Sequence, residues 1–92
     1  MVVNILGVPY SIREVPCITK EAIRLGQVDH TRQEILLDAG LAEQRKQVVL
    51  WHEIFHCIFY ALGYDDEEQT VQSLASSINQ ILKDNPKLIT FS

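Results

Sequence analysis

Apolar positions along this chain first recur at the spacing of strands and then lengthen to that of helices. Val2 to Leu6 and Tyr10 to Val15 are short strand-like runs, and Gly7-Val8-Pro9 between them reads as a turn. Pro16 ends the second run. Thr19 to Leu25 has no clear period: Thr19 suits either the cap of a short helical turn or an irregular connection, and Gly26 breaks the segment. Gln27 to His30 and Gln33 to Asp38 then predict a hairpin around His30-Thr31-Arg32. The apolar run in Glu34-Ile35-Leu36-Leu37 gives its second strand at least one buried face. Asp38-Ala39-Gly40 closes the strand section.

From about Ala42 to Leu62 the pattern is helical, and Gly63 supplies a C-terminal stop. At about 100° per residue, Arg45, Val49, His52, Glu53, His56 and Tyr60 fall in one sector. Leu50, Trp51, Ile54, Phe55, Cys57, Ile58, Phe59, Ala61 and Leu62 occupy the rest. So much apolar surface predicts a helix held between a sheet and another helix, with one polar stripe left open. Asp65-Asp66-Glu67-Glu68 begins a second helix, with acids where its dipole favours them. Val71, Leu74, Ala75, Ile78, Ile81 and Leu82 carry its period to about Asp84, and Asn85-Pro86 stops it. Lys87 to Ser92 reads as an extended tail packing through Leu88, Ile89 and Phe91. The expected fold over residues 1–92 is one small α+β domain: an antiparallel N-terminal sheet of about four strands packed on two helices.

Composition narrows the function classes. The chain has 92 residues, of which 47% are hydrophobic, enough for one small core. Its net charge is −4, and the acidic excess sits in Tyr64 to Glu68. No basic cluster is present, which argues against nucleic acid as a direct partner. Val2 to Leu6 is too short for a signal-peptide core. Val48 to Leu62 carries His52, Glu53 and His56 and falls short of a membrane span. A cytoplasmic setting without membrane contact is therefore expected. Cys17 and Cys57 do not make a disulfide framework and read as structural thiols, Cys57 on the buried side of the long helix.

The candidate chemistry lies in the long helix. His52-Glu53-Ile54-Phe55-His56 is an H-E-x-x-H sequence, and side chains four apart on a helix share a face. Two imidazoles so placed can hold one Zn²⁺, with Glu53 beside them as general base. A catalytic zinc takes three protein ligands. His30 sits in a predicted turn and reads as solvated, so the third ligand is sought among carboxylates of the second helix. Glu67 and Glu68 both precede the Val71, Leu74, Ala75, Ile78 face. The helical angle places Glu67 nearer its centre, and the residues alone leave both open.

The run from Val48 through Ala75 resembles small phage-type metallopeptidase-like proteins of the broad gluzincin class, near the ImmA/IrrE group. The likeness lies in strands followed by an H-E-x-x-H helix, then a helix with an acid ahead of an apolar-x-x-Leu-Ala pattern. Here that stretch is Glu68-Gln69-Thr70-Val71-Gln72-Ser73-Leu74-Ala75. The resemblance implies a minimal zincin-like fold, a zinc cofactor and Glu68 as third ligand beside His52 and His56. No G-x-x-H extension follows the motif, so the chain is not metzincin-like.

The expected activity is zinc-dependent hydrolysis of a protein or peptide, with Glu53 as base. Tyr60, Tyr64 and Arg45 are candidates for a second oxyanion stabiliser by position. The Gln33 to Asp38 strand is the expected edge for an extended peptide. Trp51 reads as core, Asp29 and Asp38 as turn and strand-end residues, and Ser76, Ser77 and Asn79 as polar helix surface ahead of the alternative that they support the zinc ligands from outside. The alternatives are a non-catalytic zinc-stabilised interaction module and a metal-free interaction domain. Glu53 favours the hydrolase, since a purely structural site needs no base beside its ligands.

Overall fold

A computed structural model describes residues 1–16 and 25–90, so Cys17, the stretch from Thr19 to Arg24 and Phe91 lie outside the described residues. Four strands precede two helices: β1 (Val2–Ile5), β2 (Val8–Val15), β3 (Gly26–Asp29), β4 (Glu34–Asp38), α1 (Glu43–Leu62) and α2 (Glu68–Asp84). The α+β class and the packing of a small sheet on helices follow the sequence pattern.

The sheet order is β1-β2-β4-β3. Both hairpins are antiparallel, but β2 and β4 run parallel, so the sheet is mixed rather than wholly antiparallel. The apolar content of the strands accounts for this order. Ile35 and Leu37 make β4 the most deeply buried strand, and it takes a position paired on both sides. The more polar Gly-Gln-Val-Asp of β3 goes outermost, where polar edges are tolerated. This overturns the expectation that the Gln33 to Asp38 strand offers an edge to a peptide. Among the described residues the edges are β1 and β3.

The first hairpin turns at Leu6-Gly7, one residue earlier than the pattern indicates. Both residues have positive φ, 50° and 84°, and Ile5 pairs with Val8 across a two-residue loop. Positive φ at both loop positions matches the twist of the flanking strands, and glycine adopts it without a Cβ penalty. Pro9 thereby falls inside β2. Pairing with β4 begins only at Ser11, so the missing N–H of Pro9 removes no bond from that ladder. Asp29 accepts a hydrogen bond from Arg32 N at 3.0 Å, and Asp38 accepts one from Gly40 N at 2.8 Å, which fixes the turns that β3 and β4 lead into.

The core lies between the sheet and α1. Ile5, Tyr10, Ile35 and Leu37 meet Val49 and Cys57, and Val71 and Ala75 bring α2 against α1. Gly63 ends α1 in the left-handed conformation at φ 72°. Tyr64 N bonds Phe59 O at 3.0 Å, and the rings of Phe59 and Tyr64 meet edge to face across this cap. Helix α2 covers α1 along a narrow strip. Leu74 and Ile81 consequently remain partly exposed, and Trp51, expected in the core, is half-buried against Phe55. Residues 86–90 turn rather than extend: Leu88 N bonds Asn85 O and Thr90 N bonds Lys87 O, with Leu88 and Ile89 exposed. Among the described residues no helix is long and apolar enough to cross a membrane.

Candidate metal centre

One helical turn separates His52 from His56, and their Nε2 atoms stand 3.0 Å apart. The Schellman cap at Gly63 reverses the chain, and α2 begins opposite the middle of α1. This brings Glu68, in the first turn of α2, over both imidazoles. Its Oε2 is 3.0 Å from His52 Nε2 and its Oε1 is 2.9 Å from His56 Nε2. Glu67 faces elsewhere and accepts a hydrogen bond from Thr70 Oγ1 at 2.9 Å. Of the two acids left open by the sequence, only Glu68 meets the histidines.

The partners of the other ring nitrogens fix where the imidazole protons lie. His56 Nδ1 is 2.5 Å from Asp66 Oδ1, and an ionised carboxylate can only accept. His52 Nδ1 is 2.8 Å from Gln72 Oε1. Gln72 in turn donates through Nε2 to Ser76 Oγ at 2.9 Å, which orients its amide oxygen toward His52. Both rings therefore carry a proton on Nδ1, and a neutral imidazole so placed presents a lone pair at Nε2. Two such nitrogens and one carboxylate converging on one place make a donor set that a cation would hold together. Tetrahedral Zn²⁺ bonds nitrogen and oxygen at about 2.0–2.1 Å, which sets ligand atoms about 3.3 Å apart. The two nitrogens stand 3.0 Å apart, and each lies 2.9 or 3.0 Å from a different oxygen of Glu68, separations a little shorter than that spacing. This donor set fits a zinc-like cation, and the outer partners Asp66 and Gln72 are of the kind that orient metal-bound histidines.

Glu53 belongs to the same cluster: a carboxylate oxygen lies within 4.8 Å of the imidazole nitrogens. It is farther from them than Glu68 is. It is also not in an open stripe, as the helical pattern predicts, but buried at 7% exposure. Burial pushes its carboxyl above the ordinary carboxylate range, with His56 and His52 opposing. Gly26 in β3 makes this burial possible. A Cβ there would stand 2.7 Å from Val49 Cγ1, 3.0 Å from Glu53 Cγ and 3.2 Å from Glu53 Oε1.

His30 is only partly exposed rather than freely solvated. Its ring stacks flat on Tyr60, centroids 3.9 Å apart and planes 5° apart, and its Nδ1 is 3.3 Å from the Tyr10 hydroxyl. Burial lowers its pKa from the ordinary imidazole value, with Asp66 opposing. Burial also raises the Tyr10 phenol to about 12 and the Cys57 thiol to about 11. Both therefore keep their protons at neutral pH.

A cavity of about 460 Å³ opens over this cluster, with β3 as one wall and the first turns of α2 as the other. Its charged lining is Glu53, Asp66 and Glu68, and neither lysine nor arginine reaches it among the described residues. That imbalance also suits a cation. Tyr60, Tyr64 and Arg45, the stabilisers expected from position, do not line it; Tyr60 and Tyr64 are exposed. The sequence reading missed Gly26, Asp66 and Gln72, and for Ser76 it preferred plain surface to the supporting place that its bond from Gln72 gives it. Gln72 and Ser76 were within reach of it, since they continue the Glu68 row at i+4 and i+8 along α2.

Compared with protein-family models, curated proteins and solved structures, the chain matches none.

Proposed function

We propose that this chain is a zinc-dependent hydrolase, a minimal metallopeptidase acting on a protein or peptide. The observation that carries the reading is the meeting of three potential ligand groups, His52 Nε2, His56 Nε2 and Glu68, beside the buried carboxylate of Glu53. His52, His56 and Glu68 would hold the ion. When bound, Zn²⁺ supplies a Lewis acid that polarises a carbonyl and makes water more acidic.

Glu53 takes a proton from the attacking water at its carboxylate oxygen as the new C–O bond forms. It returns that proton to the amine as the C–N bond breaks. A carboxylate raised by burial suits this work, because its proton affinity lies nearer neutrality. Asp66 and Gln72 hold the imidazoles in the tautomer that leaves Nε2 free. Strand β3 borders the cavity through Gly26 and Val28 and gives an extended peptide a strand to align with. The likeness to the gluzincin class belongs to this proposal, as does a cytoplasmic setting, which suits the free buried thiol of Cys57.

The substitution Glu53→Gln tests the reading. Zinc content, measured by elemental analysis of protein purified without chelator, should stay at one ion per chain. Hydrolysis of a denatured protein substrate should fall at least about 100-fold, the low end for a general base. Unsubstituted protein without stoichiometric zinc would overturn the proposal. Zinc binding with no hydrolysis by the unsubstituted protein would leave the non-catalytic module as the better account.

A further inference from the structure

The two edges of the sheet differ in character. β3 carries Asp29 and borders the acid-lined cavity. In β1, Val2-Val3-Asn4-Ile5, no charged side chain, proline or bulge stands against pairing with another strand. Arg13 is the first charged side chain of the sequence. Met1, Val2 and Leu6 are exposed apolar residues of this hairpin.

The ladder shows which backbone groups the β1 edge offers. Ile12 N donates to Met1 O at 2.8 Å, whereas Ser11 N turns toward the β4 side and donates to Gln33 O at 3.0 Å. Bonded and non-bonded pairs alternate along an antiparallel ladder, so Met1, Val3 and Ile5 are the residues bonded to β2. The N–H and C=O of Val2 and Asn4 point to the open side. Two such edges complement each other. A twofold axis through Val3 sets Val2 of one copy against Asn4 of the other, each pair exchanging both hydrogen bonds. Val3 then meets its own counterpart at a non-bonded position, where Cα atoms approach to about 4.5 Å.

Charge favours a copy of this chain at β1 and disfavours one at β3. Each copy carries a net charge of −4, so self-association is favoured where no like-charged side chains meet. Pairing at β1 meets that condition. Pairing at β3 would set two cavities side by side, each with Asp66 and Glu68.

We propose that β1 is an interaction surface for a second copy of this chain: the two β1 strands pair antiparallel about Val3 and join two four-stranded sheets into one. So short a strand buries little surface, and the dimer is a weak one that forms as concentration rises. The cavities lie beside β3, at the far edges, and stay open. Nothing in this pairing depends on the metal centre.

Sedimentation equilibrium at concentrations up to about 1 mM should carry the average mass from 10.5 kDa toward twice that. Over the same range, hydrogen exchange at the Val2 and Asn4 amides should slow, while the Val3 and Ile5 amides, already bonded to β2, change little. In a half-labelled sample, isotope-filtered spectra should show contact between the Val3 Hα protons of the two copies. Asn4→Pro removes an outward N–H and leaves the β1–β2 ladder whole, so it should fold and remain monomeric. A constant mass for the unsubstituted protein overturns the proposal. So does a dimer whose Val2 and Asn4 amides exchange as fast as in the monomer, or a folded Asn4→Pro that associates as before.

Discussion

The two walls of the cavity are held in place by different forces. On one side, His52, Glu53 and His56 stand on a helix whose Val49 and Cys57 pack into the sheet. The histidine side chains are only 16% and 11% exposed, and Glu53 is closed in by Gly26. Apolar burial fixes these groups whether or not a ligand is present. On the other side, Glu68 is 73% exposed and Asp66 50% exposed. Glu68 stands in the first turn of α2 and Asp66 just ahead of it, and among the described residues their contacts into the site are with the imidazoles they face. The lesson is a division of labour: the core positions Glu53 and the two histidines, whereas in the proposed metal site the cation would secure Glu68.

That difference can be broken first at Glu68. Glu68→Ala should cost more metal affinity than the 10–100-fold typical of removing an outer partner of a ligand. The melting temperature of metal-free protein should hardly move, because an exposed carboxylate supports no core. Glu67→Ala removes only the hydrogen bond from Thr70, and its zinc affinity should match the unsubstituted protein. Competitive titration against a chromophoric chelator measures both. Equal losses in the two variants would mean that Glu68 is held by α2 rather than by the site.

The two walls were also unequally legible in the sequence. Helix α1 announces itself because its apolar period, its Gly63 stop and its H-E-x-x-H spacing all state the same local geometry. The acid of α2 is a different matter. Asp65 to Glu68 offers four carboxylates in a row, and helix-dipole preference explains any of them. Which one meets the histidines depends on the αL turn at Gly63 and the direction in which α2 returns, and both are tertiary. His30 was hidden in the same way. A histidine in a turn reads as solvated until Tyr10, twenty residues earlier, and Tyr60, thirty later, are seen to close around it. The parallel pairing of β2 with β4 was missed because a hairpin pattern fixes the local antiparallel pair but not which of its strands joins the rest of the sheet.

A smaller effect should separate the two outer partners. Asp66→Leu removes the charged acceptor of His56 Nδ1–H, and Gln72→Leu removes the neutral acceptor for His52 Nδ1–H. Zinc affinity should fall in both, by about 10–100-fold, and further for Asp66→Leu, because a hydrogen bond to an ionised acceptor is roughly twice as strong as one to an amide. Chelator competition should rank them in that order. The reverse ranking would show that the Asp66 contact, for all its shortness, does not set the tautomer of His56.

Gly26→Ala strikes the opposite wall. The added Cβ would meet Val49 Cγ1 at 2.7 Å, and a valine on a helix has one strongly preferred rotamer, so the side chain has little room to yield. Either β3 moves off α1 or Val49 leaves its rotamer, at a cost of about 1–3 kcal/mol for such overpacking. Denaturant unfolding of metal-free protein should register that loss. Zinc affinity should fall less than in either outer-partner variant, because His52, His56 and Glu68 do not touch Gly26. Turnover by the zinc-loaded variant should drop beyond the change in stability, since the same Cβ stands 3.2 Å from Glu53 Oε1 and displaces the base. Glu68→Ala and Gly26→Ala are thus expected to give crossed outcomes, one losing metal with the fold intact, the other losing stability and turnover with metal kept. If Gly26→Ala is as stable and as active as the unsubstituted protein, the core wall is more pliant than its packing implies, and the base is held by something other than β3.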